Sequence, residues 1–290
     1  MRVLVTGASG QLGAEIVEEL TRRKDQQLRG KPLDVIAASR PQLDVANRDQ
    51  VLAAIRTIEP DLVIHAAAFT AVDACESEVD QAFAVNALGT RHVAEAARMV
   101  GAHLACVSTD YVFDGTKVGP YVEWDAPNPL SVYGRSKLGG EREAGPEATI
   151  VRTSWVCGRY GQNMVKTVLR LVAAGQAPLR FVSDQHGCPT IASDLAPTLV
   201  NLAMERRPGL FHVTNQGATT WYEFVRAIVS FSGGDPGIVQ QIATTELDPP
   251  RPAPRPMNSV LDNAALRLGA IELLPPWQES TAALVRELLS

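Results

Sequence analysis

The chain has 290 residues, 46% hydrophobic and 20% charged, with 27 basic against 32 acidic side chains and a net charge of −5. That length suits one large α/β domain or two smaller units, and the scattered Lys and Arg give no footprint for nucleic acid or an anionic membrane. No stretch approaches the ~18–20 apolar residues of a membrane span. The opening "MRVLVTGASG" breaks at Gly7 before a signal-peptide core could form. Cys75, Cys106, Cys157 and Cys188 stand in neither CxxC nor zinc-ligand spacing, so a cytoplasmic protein with free, reduced thiols is expected.

"RVLVTG" is a β-branched apolar run and reads as a buried strand. "QLGAEIVEELTRR" follows with Leu12, Ile16, Val17 and Leu20 at helical spacing. "KDQQLRGKP" reads as a polar surface loop, and "LDVIAAS" as a second strand. "NRDQVLAAIRTIEP" predicts an amphipathic helix with Asn47 as N-cap and Pro60 as its stop. "DLVIHAAA" is a third strand, and "EVDQAFAVNALGTRHVAEAARMVG" a long helix ending near Gly101. "AHLACVST", a fourth strand, precedes a helix over "SVYGRSKLGGEREA" and a fifth strand over "ATIVRTSWV". This alternation predicts an α/β fold with a doubly wound, Rossmann-type parallel sheet. Parallel strands are buried on both faces, which is why they read as continuous apolar runs.

Beyond residue 153 loops and prolines multiply. Helices are expected over "NMVKTVLRLVAAG", "SDLAPTLVNLAMER", "TWYEFVRAIVSFSG" and "TAALVRELL", and "GLFHVT" is a strand that can return to the main sheet. The proline tract "DPPRPAPRP" (248–256) is expected to be an ordered loop. The organisation that follows is a dinucleotide-binding domain over 1–153, with a returning segment near 191–215, and a smaller, interleaved substrate-binding part over most of 154–290.

Three patterns carry chemistry. "TGASGQLG" sets Gly7, Gly10 and Gly13 as GxxGxxG between a strand and a helix. Glycines there let the backbone turn tightly and let a pyrophosphate reach the amides at the helix N-terminus; Gln11 and Leu12 lie inside the same turn. The second strand ends in Ser39-Arg40 with no acid at its tip, which favours a 2′-phosphate, hence NADP over NAD. Of five tyrosines only Tyr133 has a lysine, Lys137, four residues on. That spacing shares a helix face, and an ammonium there can bring a phenol with an ordinary pKa near ~10 within reach of neutral proton transfer. Ser108 and Thr109 end the fourth strand, where a doubly wound sheet opens its ligand crevice. Asn86, on the long helix, either bonds backbone near this site or is a packing residue.

Glycines three apart resemble the short-chain dehydrogenase/reductase superfamily, and TGxxGxxG its extended branch. "TGASGQLG", "AAAFTAVDACE", "VSTDYVFDG", "NPLSVYGRSKLGGE", "RTSWVCG", "DQHGCPT" and "RPMNSVLD" together resemble the dTDP-4-dehydrorhamnose reductase family over nearly the whole chain. The resemblance implies reduction of a nucleotide-linked 4-keto sugar by NADPH, with NADH as the alternative donor. It makes Tyr133 the proton donor, Lys137 the group that lowers its pKa, and Thr109 the third catalytic residue. Ala66, Ala67, Ala68 and Thr70 would border the cofactor, and Asp44 the adenine edge. Val72, with Asp73 beside it, Ser108, Tyr111, Trp155 and Asn163 would face the sugar. Arg255 or Arg251 would meet the diphosphate, and Asp184 and Gln185 would shape the substrate loop. Three features depart from the pattern. His65 replaces an Asn before "AAA" and is given no chemistry, and the "KDQQLRGKP" loop is long. Glu15 matches a glutamate that in some members joins a magnesium site between subunits, so magnesium and a homodimer are carried as candidates.

Two other classes remain open on sequence. A nucleotide-sugar epimerase or dehydratase would share the fold, but a dehydratase wants a Glu after Asp110, where this chain has Tyr111. A non-catalytic NADP-binding regulatory subunit would share parts of the motifs, and the intact Thr109, Tyr133 and Lys137 argue against it.

Overall fold

The structure, a computed structural model, describes residues 1–23 and 32–290. Most of the long "KDQQLRGKP" loop lies outside the described residues. Six strands form one parallel sheet: β1 (Arg2–Thr6), β2 (Asp34–Ala38), β3 (Leu62–His65), β4 (His103–Thr109), β5 (Thr149–Thr153) and β6 (Gly209–His212). Their order is β6-β5-β4-β3-β1-β2. The chain starts in the middle, runs outward to β2, then returns past β1 to β3. The order therefore reverses between β1 and β3, and the crevice of a doubly wound sheet opens at the carboxyl ends there.

Alternation along the strands sorts the core into two layers. Val3 and Val5 face one side and pack with Ile16 and Leu20 of the helix Gln11–Arg22, and with Leu195 and Leu199 of the helix Ala192–Met204. Leu4 and Val63 face the other side, against Val51 and Ile55 of the helix Arg48–Ile58 and Val93 and Ala97 of the helix Gly89–Val100. Each such fully buried side chain contributes roughly 1.5–3 kcal/mol. The helix Ala192–Met204 belongs to the later half of the chain yet covers the first-half sheet, and β6 pairs with β5 immediately after it. A third core, around Val165, Val168, Phe224, Ile228 and Leu284, holds the remaining C-terminal helices together.

Several local rules act as expected. Asn47 caps its helix by accepting from the Gln50 amide at 3.1 Å. Gly101 ends the long helix at φ +70. That long helix carries a π-turn over Ala84–Leu88. The short helix Val72–Ser77, absent from the sequence reading, precedes it. The proline tract is held on that short helix: the Ala253 amide bonds Asp73 at 3.2 Å.

Candidate active site

The glycine turn is shaped by contact rather than by flexibility alone. A Cβ on Gly7 would lie 2.6 Å from the Ala67 amide nitrogen, and one on Gly13 would lie 2.1 Å from the Gly7 carbonyl oxygen. A Cβ on Gly10 would meet only the Gly7 oxygen, at 3.1 Å, and otherwise open space. The first amide bonded within the following helix is that of Ala14, to the Gly10 carbonyl. The amides of Gln11, Leu12 and Gly13 thus lie outside the helix ladder, and all three residues border a cavity of about 550 Å³. A cradle of unladdered amides at a helix N-terminus fits a pyrophosphate, so the residues present suit a dinucleotide.

Around the corner, a second cavity of about 210 Å³ is bordered by Gly7, Gly10, Arg40, Asp44, Ala66, Ala67 and Ala68. Arg40 is exposed there, free to meet an anionic group. Ser39 is not at this cavity: its amide and hydroxyl both bond Gln42 Oε1.

The larger cavity collects Ala66, Ala68, Thr70, Val72, Ser108, Thr109, Asp110, Tyr111, Tyr133, Lys137, Thr153 and Trp155. The helix Val132–Ala144 delivers Tyr133 and Lys137, and Ser131 caps it through the Gly134 amide. The glycine in "YGRSK" has a reason: a Cβ there would lie 2.1 Å from the Tyr111 carbonyl oxygen. Only glycine lets this helix approach the turn after β4 so closely. Asn86 fixes the same helix from the other side. At the π-turn it exchanges bonds with the Phe69 amide and carbonyl, and donates to Ser136 Oγ at 2.9 Å. It therefore does bond backbone beside the site, and is 1% exposed.

Burial dominates the electrostatics here. The Tyr133 phenol is pushed above its ordinary value by desolvation, while its hydrogen bond with Thr109 works in the opposite sense. Lys137 is buried, and desolvation lowers its pKa; Cys106 and Glu141 oppose that. Its Nζ donates to the Val107 carbonyl at 2.7 Å. Behind it, Glu141 accepts from Ser108 Oγ at 2.5 Å and pairs with Arg152 through two bonds of 2.7 Å, with both side chains buried. Burial holds His65 neutral, with its pKa lowered to about 3, and Nδ1 bonds Thr6 Oγ1 at 2.7 Å.

Besides Ser39, four sequence expectations need correction. Ser108 borders the cavity, but its hydroxyl is committed to Glu141. Asn163 does not border it: its oxygen caps the helix Met164–Ala173, and its nitrogen donates to Gln11 Oε1 and the Gly158 carbonyl. Arg255 does not reach it either. Its guanidinium forks onto Asp73, with Nη2 to Oδ2 at 2.8 Å, and Asp73 is held down to about 2 mainly by that bond. Arg251 adds a 3.4 Å contact to the same carboxylate. Glu15 faces Arg159 at 3.2 Å through both carboxylate oxygens. A guanidinium in that position repels a cation, so Glu15 is an ion-pair residue and the magnesium assignment is withdrawn. Among the described residues no group of three or more His, Cys, Asp or Glu side chains is placed to hold a metal ion. Asp184 and Gln185 bond Thr244 and tie down a turn.

The structure also brings in residues the sequence reading passed over. Trp221 stacks on Trp155 with ring centroids 3.6 Å apart and planes 9° from parallel, and both border the cavity. Trp155 sits at φ +46, a conformation bulky residues rarely adopt. Its indole packs where a side chain on residue 187 would be, since a Cβ on Gly187 would lie 2.4 Å from Trp155 Cε2. Thr153, at the end of β5, is 5% exposed, and its hydroxyl has no partner among the described residues. Asp110, the residue after Thr109, is buried and bonded to Thr109 and Ser154.

This arrangement can bind a dinucleotide along the glycine turn and present a phenol, a hydroxyl and an ammonium beside its reactive end. No helix among the described residues is long and apolar enough to cross a membrane. The family model described as RmlD substrate binding domain matches residues 1–290. The dTDP-4-dehydrorhamnose reductase of Sinorhizobium fredii is 41% identical, covering 100% of this chain and 98% of that protein. The crystal structure of dTDP-4-dehydrorhamnose reductase from Bacillus anthracis in complex with NADP superposes with a TM-score of 0.90 at 37% identity, covering 99% of each chain. That of the Clostridium acetobutylicum enzyme does so with a TM-score of 0.90 at 39% identity, covering 100% of each. The chain therefore belongs to the RmlD family of dTDP-4-dehydrorhamnose reductases.

Proposed function

We propose that this protein reduces the 4-keto group of dTDP-4-dehydro-6-deoxy-L-mannose, giving dTDP-L-rhamnose, with NADPH as the hydride source. The observation that carries this is convergence. The glycine turn, Thr109 at the end of β4, and Tyr133 with Lys137 on one helix come from three separate elements and border one cavity of about 550 Å³, a size suited to a cofactor end and a sugar together.

When bound, NADPH would supply the hydride for C4. Tyr133 gives its phenolic proton to the oxygen as the carbonyl becomes an alcohol. Thr109 orients that oxygen. Lys137 keeps a positive charge beside the phenolate left behind, and its remaining donors are available to a ribose hydroxyl. The amides of Gln11, Leu12 and Gly13 hold the pyrophosphate, and Arg40 favours the 2′-phosphate. Trp155, braced by Trp221, gives the sugar a flat wall. The orphaned Thr153 hydroxyl has a free donor and acceptor for a sugar hydroxyl.

The test is an initial-rate assay with the dTDP-4-keto sugar and each cofactor in turn. NADPH oxidation at a higher kcat/KM than with NADH is expected, with dTDP-L-rhamnose as product. Tight NADPH binding without oxidation by any 4-keto-6-deoxy nucleotide sugar defeats the proposal and leaves the binding-subunit alternative.

A further inference from the structure

Thr109 has one proton to donate, and its surroundings decide where that proton points. Its Oγ1 lies 3.0 Å from Asp110 Oδ1 and accepts from the Tyr111 amide at 3.2 Å. When Asp110 is ionised it can only accept. The Thr109 proton then lies on Asp110 and points away from the cavity. When Asp110 is protonated it can donate to Thr109 instead, and the Thr109 hydroxyl is free to donate into the cavity.

We propose that Asp110 is a positioning residue of the reduction, whose protonation turns the Thr109 hydroxyl toward the substrate oxygen. This rests on the reductase function proposed above. Asp110 acts through Thr109, so it is not a catalytic residue in its own right.

The setting supports a proton on Asp110. Its side chain is 2% exposed, and no cation forms an ion pair with it among the described residues. Ser154 donates to Oδ2 at 3.0 Å, and Thr109 to Oδ1 at 3.0 Å. Burial outweighs these hydroxyls and raises its pKa to about 6. The titratable groups that face it are Tyr111 on its own segment, Tyr133 from the helix Val132–Ala144, and Cys188 from the segment beyond β5. All three are neutral acids at pH 7, with pKa values pushed upward. Arg251 and Arg255 bear on Tyr111, and their fork is closed by Asp73. The Glu141–Arg152 pair meets Ser108, which points to the opposite face of β4 from Thr109. Lys137 is bonded to Val107.

The test is the pH profile of kcat for sugar reduction at saturating NADPH, for the wild type, Asp110→Asn and Thr109→Val. In the wild type kcat should fall by about tenfold per pH unit once Asp110 ionises, between about pH 6 and 8. Asp110→Asn cannot ionise, and its amide donates to Thr109 at every pH, so its profile should be flat to within about threefold over the same range. Thr109→Val should keep a small residual rate without the fall, because Asp110 then has nothing to turn. A merely structural Asp110 would lower the rate at every pH and leave the fall in place. A wild type without the fall, or a variant that keeps it, overturns the proposal.

A carboxyl-stretch infrared titration of the NADPH-bound wild type, against Asp110→Asn, reads the same group without turnover. A carboxyl titrating near pH 6 that the substitution removes is expected, and its absence also overturns the proposal. A wild type that binds NADPH and reduces no keto sugar at any pH defeats the reductase function instead, while the infrared titration still judges Asp110.

Discussion

The two ends of the large cavity are built by different means. At the glycine turn the working groups are backbone amides, and the side chains that matter are the ones missing from Gly7, Gly10 and Gly13. At the end of β4 the working groups are side chains, most of them already bonded to another: Thr109 to Asp110, Asp110 to Ser154, Ser108 to Glu141, Glu141 to Arg152. The first end binds by shape and dipole, so its residues act almost independently. The second is a buried polar network, where removing one partner leaves another unsatisfied.

That contrast can be broken experimentally, and the largest effect is expected at the network end. Tyr133→Phe removes the proposed proton donor, so kcat should fall by about 10³-fold, roughly 4 kcal/mol. NADPH affinity should stay within about threefold, because the glycine turn is untouched. Equal losses in turnover and binding would show that the two ends are not separable.

Next comes Glu141→Gln, which leaves the buried Arg152 guanidinium without its counter-charge. A loss of about 3 kcal/mol in unfolding free energy is expected, read by denaturant titration. Lys137, which Glu141 helps keep charged, should also titrate at lower pH. An unchanged denaturation midpoint would mean that Arg152 finds other partners.

The smallest stability effects, and the sharpest separation, belong to the glycines. Gly13→Ala drives a methyl into the Gly7 carbonyl and should cost about 2 kcal/mol. Gly10→Ala projects its methyl into open space at the cavity, so it should cost less than about 1 kcal/mol yet weaken NADPH binding by about tenfold or more. Fluorescence titration with NADPH alongside thermal melts checks both. If Gly10→Ala binds normally, the pyrophosphate does not lie against that Cα.

Much of the molecule was legible from residue order because the causes are local. Short apolar runs bounded by turn residues read as strands buried on both sides. Asn47, three residues before Gln50, had to cap a helix. The "YGRSK" helix face followed from i,i+4 geometry. Legibility ended where a side chain's role depends on who else claims its donors. Ser108, Asn163 and Arg255 are the right residue types for a sugar or a phosphate, but Glu141, Gln11 and Asp73 hold them. Trp221 was missed because nothing near it in the chain signals that a tryptophan 66 residues earlier will stack on it.

By itself, then, the order of residues determined the sheet, its helices and the glycine cradle, since periodicity and backbone sterics act within a few residues of their cause. Only the tertiary structure decided how Thr109 is engaged. A hydroxyl donates one proton, and whether that proton serves the substrate or Asp110 depends on neighbours that β5 and the later segments bring into contact.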